Sequence, residues 1–199
     1  MKVWLLENVN NTYSVNYIKE FDNILIYAGT SLRSTSGNKG IRTLTAIDKI
    51  KKEMLISSNL VGYTLKETGT ALAWASQISK NKPLILGKSY VSSSKAYIKD
   101  SANPVFRTDE YNEIYTIVIS GFNNSQCAND MAFRPYMIIT DGEKDITLYG
   151  GIVKRSVGYI VYQIRNIYSP GSSAYEYVWE IIRAVYGDRY DNEYIQQSA

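Results

Sequence analysis

Little catalytic chemistry is open to this chain. It has no histidine and a single cysteine, Cys127. A Ser-His-Asp triad, a Cys-His pair, His-ligated zinc and an internal disulfide all need residues it lacks. Paired carboxylates remain the one broad catalytic class, because glycoside hydrolysis asks for two Asp/Glu side chains roughly 5–10 Å apart. Two clusters could supply them, Asp109/Glu110/Glu113 and Asp188/Asp191/Glu193. Both lie in polar stretches where solvated surface charge is the simpler explanation, and a catalytic carboxylate needs a perturbing environment. The chain therefore reads as a non-enzyme, with a carboxylate-pair glycosidase as the catalytic alternative.

Ligand chemistry is also limited. Residues 141–145 (DGEKD) offer oxygen ligands to a hard cation but lack the alternation of an EF-hand loop, so a solvated hairpin loop is expected and no metal or cofactor is assigned. Eighteen tyrosines are the compositional oddity, 12 of them from Tyr111 onward. Tyrosine joins a large apolar face to a polar tip and suits both cores and contact surfaces. The tail set Tyr175, Tyr177, Tyr190 and Tyr194, with Arg189, is the candidate ligand-binding or partner-binding surface, for a protein, a second copy or a glycan. Helix packing is the plainer role for Tyr175 and for Tyr186 beside it. Arg42 and Arg134 sit in otherwise apolar stretches and must reach a carboxylate, a carbonyl or solvent; a structural tie to a carboxylate between sheets is expected of them. A lysine, an asparagine and a carboxylate buried together could form an intramolecular isopeptide bond, and the chain contains all three residue types.

The elements that must hold these residues are mostly strands. Residues 24–27 form a short apolar run before a Ser/Gly-rich stretch at 30–40 that reads as containing a loop. β-Branched residues dominate 41–47, and 60–75 reads as a strand or bent pair with Gly62 and Gly69 at bulges or close approaches. Residues 88–98 are weaker. The stretch 111–122 is the clearest strand, and 133–149 reads as a hairpin around the loop at 141–145. The period then changes. Ser156 is placed to cap a helix carrying Val157, Ile160, Val161 and Ile164, and 169–171 breaks it. Ser173 and Glu176 form a capping box for a last helix that ends at Gly187.

Several of these stretches resemble, in order, a β-rich module of large secreted and cell-surface proteins of gut Firmicutes. They are Ala28-Gly29-Thr30-Ser31-Leu32-Arg33 with Gly40-Ile41-Arg42, then residues 62–70, Phe133-Arg134-Pro135-Tyr136, Leu148-Tyr149-Gly150 and Arg155-Ser156-Val157. The resemblance spans residues 24–168 and departs from the family at Thr43 and Pro135. It implies an immunoglobulin-like β-sandwich without catalytic residues.

The expected architecture is mainly β: an N-terminal arm at 1–23, an immunoglobulin-like β-sandwich at 24–168, and a C-terminal helix and tail at 169–199. Net charge is +3, with the basic residues concentrated in the first half but no basic stripe, so nucleic acid is not an expected partner. No stretch has the ~18 apolar residues of a membrane span. Glu7 and Asn8 interrupt the opening apolar run, so no leader of the usual kind is read there. The expected role is a non-catalytic structural or binding module of a bacterial surface or secreted protein, extracellular or at the cell surface. A bacteriophage virion surface protein is second and a carbohydrate-binding module third.

Overall fold

The structure, a computed structural model, describes residues 7–9, 12–14, 23–35, 38–56, 62–99 and 107–187. Two short strands, β1 (Glu7–Val9) and β2 (Thr12–Ser14), pair with each other near the N-terminus. The rest builds two antiparallel sheets. The first has the order β3-β4-β8-β7, from β3 (Leu25–Thr35), β4 (Asn38–Asp48), β7 (Arg107–Thr108) and β8 (Asn112–Phe122). The second has the order β10-β9-β5-β6, from β5 (Thr64–Trp74), β6 (Ser92–Ile98), β9 (Met131–Thr140) and β10 (Asp145–Tyr149). The short strand β11 (Val153–Arg155) continues the β10 edge by pairing with the start of β9. Successive hairpins thus alternate between sheets.

Period-two patterning gives each strand two distinct faces. On β9, Met131, Phe133, Met137 and Ile139 turn toward the first sheet, while Ala132, Tyr136 and Ile138 turn the other way. Ile47 and Tyr115 of the first sheet meet Leu65, Met137 and Ile139 of the second in one buried cluster. At the opposite end Ile41 and Phe122 meet Met131 and Phe133, and two helices close that end: α2 (Val157–Ile164) and α3 (Ser173–Tyr186). Val178, Ile181 and Ile182 of α3 lie in this same cluster, so the last helix is part of the core. Each such side chain contributes about 1.5–3 kcal/mol on leaving water.

The outward face of the second sheet is covered too. A short 3-10 turn (Ala75–Gln77) and the segment after it cross that face, and Leu84 is fully buried there against Ala71, Ala73, Ala132 and Tyr136. The middle strand β9 is thus buried on both faces, which explains why its sequence is nearly all apolar.

Some local readings need correction. The stretch at 30–40 is largely strand: β3 and β4 run through it as one long hairpin, with polar Ser31 opposite Arg42 and Arg33 opposite Gly40. A helix that the sequence pattern did not suggest, α1 (Lys49–Ile56), follows β4, with Asp48 Oδ1 accepting from the Lys51 N–H at 3.0 Å. The last helix begins one residue earlier than the Ser173–Glu176 box implies. Ser172 is its cap and accepts from the Tyr175 N–H at 3.2 Å. Ser156 caps α2 as expected, accepting from Tyr159, and Gly187 closes α3 at φ +56°. Gly69 is a close approach, and the bulge beside it is at Ala96 of β6: a Cβ at Gly69 would lie 2.5 Å from the Ser94 carbonyl and 2.6 Å from the Tyr136 hydroxyl.

Pro135 is tolerated in the middle strand for a geometric reason. Its carbonyl accepts from the Gly150 N–H at 2.9 Å, so its main chain faces the gap between β10 and β11. The missing N–H therefore removes no ladder bond to β5. Gly150 crosses that gap so tightly that a Cβ would sit 2.7 Å from the proline ring.

Candidate functional site

Two glutamates are drawn into the protein, and each is met by a tyrosine and a lysine. Glu67, on the outward face of β5, is 8 % exposed. It accepts from the Tyr136 hydroxyl across the β5–β9 pair at 2.5 Å and pairs with Lys95 of β6 at 2.6 Å. Neighbouring strands bring the three together because Gly69 stands opposite both Tyr136 and Lys95, where a bulge at Ala96 of β6 shifts the register. Burial, and then the bond to the Glu67 carboxylate, push the Tyr136 phenol well above the usual tyrosine range. Its proton therefore stays in place at any physiological pH.

The second cluster ties α1 to the first sheet. Lys52 pairs with Glu113 at 2.5 Å, and the Tyr115 hydroxyl donates to the same carboxylate at 2.8 Å. Burial acts to raise the Glu113 pKa, but the Lys52 ammonium and the Tyr115 hydroxyl outweigh it and hold the carboxyl below its usual range. Burial and the adjacent carboxylate push Tyr115 strongly upward. Neither arrangement resembles an acid/base pair. In each, one carboxylate is neutralised by one cation and satisfied by one phenol, which is how a buried charge is stabilised structurally.

The other acidic candidates also have local partners. Asp109 accepts from the N–H groups of Tyr111 and Asn112 at 2.9 and 2.7 Å, and those donors lower its pKa. Lys49 donates to its carbonyl. Glu110 is exposed. In the loop once considered for calcium, Asp141 accepts from Lys144 and Glu143 N–H groups at 2.7 and 2.9 Å, which again lower its pKa. Asp145 pairs with Lys66 at 2.5 Å. Asp188, Asp191 and Glu193 lie outside the described residues. Among the described residues no group of three or more metal-ligating side chains converges.

Arg134 reaches carbonyls where a carboxylate tie between sheets was expected. It donates to Gly150 at 2.9 Å and Leu84 at 3.3 Å, and lies 4.6 Å from the centroid of the Tyr149 ring. Tyr149 in turn accepts from the Leu86 N–H at 2.9 Å, so this pair pins the segment that covers the second sheet. Arg42 Nε donates to Ser31 Oγ on the adjacent strand at 3.0 Å. For an isopeptide bond, the enclosed lysines Lys39 and Lys52 each face a glutamate, Glu180 and Glu113.

Of the tyrosine set, Tyr175 lies beside Trp179 with ring centroids 5.8 Å apart. Tyr177 packs against the core cluster, with its hydroxyl enclosed. Tyr190, Tyr194 and Arg189 lie outside the described residues. The sequence reading missed Glu67, Lys95 and Tyr136 as a group. The available signal was one acid in an otherwise uncharged apolar-and-threonine stretch of strand after Lys66, and a tyrosine following Arg134-Pro135. No known protein family, characterised protein or solved structure matches the chain.

Proposed function

We infer that this chain is a non-catalytic module, immunoglobulin-like in its sandwich arrangement, that gives a bacterial surface or secreted protein a rigid structural or binding unit. The observation that carries this reading is the pairing of Glu67 and Glu113, each with a tyrosine hydroxyl and a lysine. These two carboxylates are thereby committed to holding strands and α1 together. Turn capping by Asp109 and Asp141 supports the same reading, since those carboxylates are committed to main-chain N–H groups. Extensive packing on both faces of the second sheet suits a scaffold whose work is contact.

The test is an activity screen of the purified chain against aryl glycosides and polysaccharides, run beside Glu67→Gln and Glu113→Gln. No turnover by the native chain is expected. Hydrolysis that disappears in either variant would overturn the reading in favour of a glycosidase. Immunodetection in envelope and culture-medium fractions of the native host completes it, and recovery in purified phage particles instead would move the module to a virion.

A further inference from the structure

A shallow groove of about 650 Å³ runs beside β11, lined by Ile78, Ser79, Ile152, Val153, Lys154 and Arg155. It is apolar in part, and Ile152 is 43 % exposed. Its charge has one sign. Lys154 and Arg155 line it, and Lys80 and Lys82 belong to the turn that Ser79 and Lys82 close by two main-chain hydrogen bonds of 3.2 and 3.0 Å. None of the lining residues is acidic. Among the described residues, Lys80, Lys82 and Lys154 take no carboxylate partner.

One main-chain N–H, that of Lys154, is also open at this edge. Because the Pro135 carbonyl faces Gly150, the odd-numbered residues of β9 turn their main-chain groups toward β10 and β11. Lys154 stands opposite even-numbered Ala132 and so directs its N–H and C=O away from β9. That carbonyl takes the Arg155 guanidinium at 2.7 Å.

We propose that this groove receives an extended acidic segment of a partner protein, laid along β11 as an added strand. Its carboxylates meet Lys80, Lys82 and Lys154, and its alternate apolar side chains rest on Ile78 and Ile152. An extended peptide presents two kinds of side chain at period two, one to each face, and the groove offers both an apolar lining at Ile78 and Ile152 and cations at Lys80, Lys82 and Lys154. A uniform polyanion would use the cations and leave the isoleucines uncovered. This assignment rests on the chain being a contact module, and names where and what it contacts.

The experiment is fluorescence anisotropy of the full chain with the dye-labelled nonapeptide GEVDIEVDG, against GKVKIKVKG as the control. The expected result is saturable binding of the acidic peptide alone, weakening as salt is raised. The Lys82→Glu/Lys154→Glu double variant should bind roughly tenfold more weakly or worse. Ile152→Ser should weaken binding severalfold. All three positions are exposed, so unchanged melting temperatures confirm that the variants fold. Equal affinity of native chain and double variant would overturn the proposal. So would full competition by heparin together with unchanged binding by Ile152→Ser, which would mean the groove reads charge alone. Glycoside turnover in the activity screen, by contrast, would remove the module reading itself.

Discussion

Tyr136 reaches Glu67 across two strands, 2.5 Å between oxygens, over the one position in β5 where a side chain would block it, Gly69. The contact links residues 69 positions apart and closes the outward face of the second sheet at the point where β6 bulges against β5. Tyr136→Phe leaves a buried carboxylate with only Lys95, whereas Glu67→Gln keeps an acceptor for the phenol and releases the half-exposed Lys95 ammonium to water. A Tyr136→Phe loss of roughly 1–3 kcal/mol follows from leaving the carboxylate under-satisfied. A double-mutant cycle by urea unfolding should return a coupling of about 0.5–3 kcal/mol. Additive losses would show that the two side chains are merely neighbours.

The Glu113 cluster sets a pH dependence whose sign is determined. Its folded pKa lies below the ordinary value of 4.5, because Lys52 and Tyr115 together outweigh the upward push of burial. A group with a lowered folded pKa stabilises fully above its unfolded value and loses that contribution as pH falls through the folded value. The melting temperature of the native chain should therefore exceed that of Glu113→Gln at pH 6–7, and the gap should close below about pH 4.5. Asp109, Asp141 and Asp145 titrate in both proteins and cancel in the difference. A gap constant from pH 7 to 3 would separate Glu113 from acid lability.

How much of this could be read in advance depends on the range over which each residue acts. The strand at 112–122 and the hairpin at 131–149 were legible because β-branched and aromatic runs with a polar loop between them are local signals. Ser156 was legible for the same reason, its hydroxyl reaching only three residues on. The long β3–β4 hairpin was not, because Ser31, Ser34 and Gly40 look like loop residues in sequence, and only the pairing of the two strands shows them in a ladder. The helix α1 was hidden because its lysines leave no clear apolar face in the sequence, and Lys52 is spent on Glu113 from another element. Glu67, Lys95 and Tyr136 form no motif in the chain. Their meeting depends on the register of three strands and on a bulge that shifts it.

The helix cap offers a sharp test of register at a single residue. Ser172 and Ser173 are chemically identical neighbours, and only Ser172 has extended backbone (φ −77°, ψ 149°) and a hydroxyl bonded to the Tyr175 N–H. Ser172→Ala should cost about 0.5–2 kcal/mol of stability, while Ser173→Ala, already within the helix, should cost next to nothing. Chemical denaturation of both variants decides it. The reverse order of losses would restore the Ser173–Glu176 capping box.

Arg134 holds a cover whose loosening can be measured apart from global stability. Its guanidinium spans two carbonyls, Gly150 on one side and Leu84 on the other, while Tyr149 lies against it and accepts from Leu86. A lysine carries the charge but has no planar fork, so Arg134→Lys cannot make both bonds and stack on the ring at once. The buried sheet beneath retains its apolar contacts, so the substitution should free the covering segment before it melts the domain. Trypsin reports this directly, because Lys80 and Lys88 lie within that segment, while Lys82 precedes a proline and resists cleavage. Arg134→Lys should raise the rate of cleavage at Lys80 and Lys88 severalfold with a much smaller fall in melting temperature. Cleavage rising only in proportion to global unfolding would mean that Leu84, fully buried against Ala71, Ala73 and Tyr136, holds the segment without the arginine.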